Sequence, residues 1–217
     1  MAAAPTLLPP PSSSYSLWFA PAAGSSVRAV LEREIATQAA KHGSDTFEPH
    51  VTLLGDLRCA AGDAPARSAA ELFARRTKPF RVSLLGVATG PTFHQCVFLQ
   101  CANEGALSAA HARMRAICAE QGVPLGEAGA ATDAPPPPAA YAPHLSLLYS
   151  GVGEAERAAA AAEATARLYG PESDYGTLLA DDGFDARTVS LWHTPLDSGG
   201  AAAWRLVAEL PLEGQEG

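Results

Sequence analysis

The sequence predicts an α+β fold of antiparallel sheets with helices on the outside. Strand-like and helix-like segments interleave without the long uniform alternation of a parallel α/β sheet. A Pro-His-apolar-Ser/Thr strand followed by a helix occurs twice, beginning at Pro49 and at Pro143. The 217 residues, 47% hydrophobic and 18% charged, suffice for one sizeable core, as a single domain or as two small lobes on a shared cleft.

The elements follow in order. Residues 1–14 are rich in Ala, Pro and Ser and carry no basic residue, which fits neither a secretory leader nor a transit peptide; they are expected to be a disordered tail. Tyr15 to Ala20 is an apolar and aromatic run that reads as a strand ending at Pro21. Ser25 or Ser26 can cap a helix in which Val27, Val30, Leu31 and Ile35 recur at helical spacing until Gly43. His50 to Gly55 is a second strand, and Asp63 caps a helix to Arg75 with Pro65 in its first turn. Phe80 to Ala88 and His94 to Cys101 read as strands joined by a turn over Gly90 and Pro91. Asn103 is expected to cap a helix ending near Gly122. The stretch from Gly122 to Ala140, with four consecutive prolines, reads as a mobile loop. His144 to Tyr149 is a strand, Glu154 to Leu168 an Ala-rich helix, and Thr188 to His193 and Trp204 to Leu210 the last strands. One domain is thus expected over 15–210, with a short tail after it.

The net charge of −8 counts against a protein that grips a long nucleic acid, because that affinity comes mainly from clustered Lys and Arg. Arg75, Arg76 and Lys78 form the one basic run and read as a solvated helix end. No apolar run approaches the roughly 18–20 residues needed to span a bilayer. Cys59, Cys96, Cys101 and Cys118 form no CxxC pair and read as buried structural thiols in a reducing compartment, the cytoplasm.

The repeated units carry the chemistry. Alternate strand residues share a face, so His50 and Thr52 point one way while Val51 and Leu53 enter the core, and His144 and Ser146 do the same in the second unit. Each unit presents an imidazole and a hydroxyl about 7 Å apart. Two such units facing across a cleft offer two proton-transfer groups and two donors to one phosphate. The pattern without its prolines would arise twice in roughly one shuffled chain in a hundred.

The units resemble the H-x-(T/S)-x motifs of the two-histidine phosphoesterase superfamily, and their surroundings resemble its plant and yeast-type cyclic phosphodiesterases. Tyr15-Ser16-Leu17-Trp18, Phe93-His94-Gln95-Cys96-Val97-Phe98-Leu99 and Tyr141 to Tyr149 follow that branch in order and spacing. The resemblance implies a bilobal, pseudo-two-fold symmetric fold with two sheets facing a central cleft. It implies hydrolysis of ADP-ribose 1'',2''-cyclic phosphate and of nucleoside 2',3'-cyclic phosphates to 2'-phosphates, without metal or other cofactor. His50 and His144 are then the catalytic pair, with His50 favoured as acid and His144 as base, although the residues themselves do not order them. Thr52 and Ser146 would bind the phosphate, and Trp18, His94 and Tyr149 would line the pocket. His94 stands where the branch usually has an aromatic ring. The expected partner is a small cyclic phosphate, with no long nucleic acid and no membrane, and the chain is expected to be monomeric. The alternatives are an RNA-end-processing relative and a non-catalytic nucleotide-binding relative.

Overall fold

The computed structural model describes residues 13–60, 62–103, 105–126, 141–170, 183–196 and 200–214. Eight strands and four α-helices follow in the order β1 (Ser13–Phe19), α1 (Ser26–His42), β2 (Val51–Cys59), α2 (Ala64–Arg75), β3 (Phe80–Thr89), β4 (Val97–Cys101), α3 (Ala106–Glu120), β5 (His144–Leu148), α4 (Glu154–Tyr169), β6 (Gly183–Ala186), β7 (Thr188–His193) and β8 (Arg205–Pro211). The strands pair antiparallel in the order β6-β3-β4-β5-β2-β1-β7-β8. Where two sheets were expected, the described strands join in one. Its narrowest seam lies between β5 and β2, which pair through Val51 and Leu145 alone. Beyond that point, segment 123–126 covers β2: Arg58 N–H donates to Pro124 O, and Gly126 N–H to Asp56 O.

The period of two then sorts side chains between the faces. Leu17, Phe19, Val51, Leu53, Leu145 and Leu147 are fully buried and join the helices in one core. The residues between them face the other way and floor a cavity.

Local chemistry explains the helix ends. Ser25 Oγ accepts from Arg28 N–H at 3.2 Å, and Gly43, at φ 63°, closes α1 by donating to Ala39 O. Asp63 occupies the cap position of α2 but makes no cap bond; its carboxylate instead takes two bonds from Arg67, at 3.2 and 3.0 Å. Asn103 does not cap α3, whose cap is Gly105. It bonds Tyr141 O and accepts from Ser108 Oγ, so it staples the start of α3 to the approach to β5.

Several boundaries differ from expectation. β1 begins at Ser13, two residues inside the expected tail, and β8 runs to Pro211. β6 lies in a stretch read as loop; its four residues pair with Phe80–Ser83 of β3, so partner strand rather than local propensity makes it a strand. His94 is not on β4. The reversal at Gly90 and Pro91 extends into a 3₁₀ turn over Phe93–Gln95, with Gln95 N–H donating to Thr92 O at 3.1 Å. A Cβ on Gly90 would come within 2.8 Å of Gln95 O, so the turn closes only over glycine. Residues 1–12 and 215–217 of the expected tails lie outside the described residues, as do 127–140 of the expected loop; Leu212, expected in the second tail, is buried and donates its N–H to Arg187 O.

Candidate active site

The cavity on the open face of the sheet holds about 900 Å³. Its floor is the seam. Val51 faces Leu145, so counting one residue outward along antiparallel strands sets His50 beside Ser146 and Thr52 beside His144, all on the face opposite the core. The two repeated units are therefore neighbours in one sheet, brought together by a single strand pair. All seven expected site residues, His50, Thr52, His144, Ser146, Trp18, His94 and Tyr149, line this one cavity.

Both imidazoles are held in the same way. His50 Nδ1 lies 2.6 Å from Glu48 O, and His144 Nδ1 lies 3.0 Å from Ala142 O. A carbonyl can only accept, so each Nδ1 carries a proton and Nε2 is left free for proton transfer. The partner is two residues upstream each time, across Pro49 or Pro143. Proline fixes its own φ and holds the preceding residue extended, which presets that carbonyl.

The two histidines differ in burial. His50 is 5% exposed and stacks on Trp18 at 3.7 Å between ring centroids. Burial lowers its pKa to about 4, opposed by the Glu48 carbonyl bond and aided by the nearby charge of His144. His50 is therefore neutral at pH 7 in the free protein.

Trp18 is a support as much as a wall. It is buried beneath His50 and stacks on Trp192 at 4.5 Å. Tyr149 stacks on Phe47 at 4.0 Å, and burial raises the pKa of its phenol despite the Ser146 hydroxyl beside it. Ser146 Oγ donates to His94 O at 3.0 Å, and Ser150 N–H donates to Phe93 O at 3.1 Å, which fastens the 3₁₀ turn to β5. The Ser146 hydrogen is thus already committed, whereas the Thr52 hydroxyl bonds no described residue. His94 sits on the exposed turn at the cavity edge with its ring against Tyr149 at 5.1 Å, and burial lowers its pKa.

Among the described residues no Lys or Arg lines this cavity. The one carboxylate of its described lining, Asp56, is paired with Arg58 and accepts from Ser14 Oγ. Asp56 adopts φ 57° beside an irregularity in the β1–β2 register, which turns its side chain onto the cavity face. The cavity thus presents imidazoles, hydroxyls and aromatic faces to a ligand.

Residues 13–169 match the family of cyclic phosphodiesterase-like proteins. The chain belongs to that family. It is thereby a member of the two-histidine phosphoesterase superfamily. Its fold is similar to that of E. coli LigT complexed with 3'-AMP, at 13% identity and a TM-score of 0.56 over 93% of this chain and 98% of that one. LigT complexed with NADP+ gives 13% and 0.53 over the same shares. TT0787 of Thermus thermophilus gives 19% and 0.58 over 93% of this chain and all of that one. No curated protein matches the chain.

Three contributors to this cyclic phosphodiesterase-like site were not singled out in the sequence. Trp204 comes from just before β8 and sets its ring 6.1 Å from His50, edge to face. Ser16 and Thr194 join their hydroxyls at 2.9 Å across 178 positions of chain. Ser16 follows the alternation of β1, so period two could have found it; Trp204 and Thr194 come from segments whose approach only the folded chain defines. His42, His111 and His193 stay out of this cavity. His111 stacks on Tyr141 and His193 packs on Tyr15.

Proposed function

We propose that this cyclic phosphodiesterase-like protein hydrolyses small cyclic phosphodiesters: nucleoside 2',3'-cyclic phosphates to the 2'-phosphates, and ADP-ribose 1'',2''-cyclic phosphate by the same ring opening to a phosphomonoester. The observation that carries the reading is the pair of imidazoles on adjacent strands, each with Nδ1 fixed by a carbonyl and Nε2 free. One takes a proton from a water attacking phosphorus. The other gives a proton to the sugar oxygen as its bond to phosphorus breaks. Each transfer contributes on the order of a hundredfold to ten-thousandfold. Thr52 donates to a non-bridging oxygen as charge builds there. Ser146 would do so by turning its hydroxyl from His94 O to the phosphate.

The two strand–helix repeats support reading the four-stranded halves of the sheet as two related lobes that meet at the β2–β5 seam. Family likeness favours His50 as acid. A neutral His50 in the free protein then has to gain its proton as the anionic phosphate binds, because the anion offsets the cost of a buried imidazolium.

The test is turnover by the purified protein, with the product identified by phosphorus NMR. His50→Ala and His144→Ala should each lower kcat at least about a hundredfold while the protein stays folded. Near-normal kcat in either folded variant would overturn the paired-histidine mechanism.

A further inference from the structure

A second pocket of about 220 Å³ opens beside the catalytic cavity and shares Phe93, Tyr149 and Gly200 with it. Its wall is the turn that leaves α1. His42, Ser44 and Asp45 line it there, together with Ser150. The side chain of His42 is only 3% exposed. Its Nδ1 lies 3.0 Å from a Glu156 carboxylate oxygen, which can only accept, so Nδ1 carries the proton. His42 Nε2 and Ser44 Oγ are buried without a hydrogen-bond partner. Both atoms are closed off from the pocket as it stands; a bound polar group that shifts the wall enough to reach them would remove a standing cost.

The geometry points to this pocket as a subsite for the neutral ring of a nucleoside, the part of an extended substrate that lies beyond the reacting cyclic phosphate. This rests on the phosphodiesterase reading above. The lining decides the chemistry. Beside His42, Asp45 offers a carboxylate and Ser44 and Ser150 offer hydroxyls, so oxygen acceptors predominate. Among the described residues no Lys or Arg lines the pocket. A phosphate would be repelled, whereas the hydroxyls of a ribose or the amino group of a base would be bound. The exposed face of Phe93, half open to solvent, can carry the flat side of the ring. The volume falls below the roughly 300 Å³ at which pockets for drug-sized ligands begin, so it admits one ring and leaves the reacting ring in the cavity.

The test compares a short and an extended substrate, a nucleoside 2',3'-cyclic monophosphate and ADP-ribose 1'',2''-cyclic phosphate. Ser44→Leu fills the pocket, and Ser44→Ala removes one orphaned hydroxyl at little risk to folding. Ser44→Leu should lower kcat/KM for the extended substrate about tenfold or more and leave the short one within about twofold; Ser44→Ala should show a smaller effect of the same selectivity. Equal losses on both substrates, or none on either, would overturn the subsite. If the wild-type protein turns over neither substrate, the phosphodiesterase reading fails by itself. Calorimetric titration with adenosine then decides the subsite alone: binding that Ser44→Leu abolishes upholds it, and no binding, or binding the variant retains, rejects it.

Discussion

In the proposed mechanism, His50 is the residue on which catalysis and folding make opposite demands. The stack on Trp18 and the bond to Glu48 O hold its ring in one orientation, while the burial that comes with them disfavours its charged form. The sign of the consequence is fixed. A pKa lowered to about 4 in the free protein leaves His50 neutral above that pH. The pH dependence of kcat/KM, which reports the free enzyme, should therefore carry a limb near 4 in addition to one set by the partner. The wild-type profile looks the same whichever histidine is the acid, since the two titrate as a coupled pair. The variants separate the roles. His50→Ala should lose the limb near pH 4. The residual activity of His144→Ala should keep it, falling with rising pH if His50 is the acid and rising if it is the base. A limb near 4 that survives in His50→Ala would assign it to some other group. In kcat the same limb should move to higher pH, because bound phosphate favours the imidazolium.

The helices act at the scale of elements by fixing the far face of the sheet. α1 and α4 meet through Glu34, fully buried, whose carboxylate takes two bonds of 2.8 Å from Arg167. Gln38 adds a bond to Ala160 O at 3.2 Å. The buried face of α4 is Ala160, Ala164 and Leu168, and with its small side chains the helix packs closely on β3 and β4. Removing one partner of a buried ion pair strands the other charge. Arg167→Met should cost about 3 kcal/mol in a urea melt, and Glu34→Leu added to it should restore most of that. If the double variant is as unstable as the single, the loss comes from packing and not from the stranded carboxylate. The four cysteines belong to the same hidden face. All are buried, and burial pushes the Cys118 thiol up to about 11, which keeps it protonated and unreactive.

Charge is a property of the whole molecule. A net charge of −8 and a cavity without Lys or Arg among its described lining leave hydroxyls and imidazoles to receive the phosphate of the proposed substrate. Raising salt from about 50 to about 200 mM should change KM for a cyclic mononucleotide by less than about twofold. An enzyme that grips a polyanion through many phosphate contacts would lose on the order of a thousandfold over that range. Steep salt dependence, with tight binding of an RNA oligomer, would favour the RNA-end-processing alternative.

The sequence by itself determined which side chains face the chemistry and which face the core. Period two in a strand assigns His50 and Thr52 to one face and Val51 and Leu53 to the other without knowledge of any neighbour. The ends of α1 were equally legible, because Ser25 and Gly43 act through bonds within a few residues. What the sequence left open depends on chain brought from far away. β6 exists because β3 lies beside it, and Asn103 gave up capping for a partner 38 positions on. Whether the two histidine units face each other or lie side by side was decided by one pair, Val51 with Leu145, which no local pattern encodes. The burial of His50, and so the value of its pKa, likewise follows from Trp18, Trp204 and the rest of the fold closing over it. Alternation is a property of a single strand, but register, burial and dielectric environment exist only once strands meet.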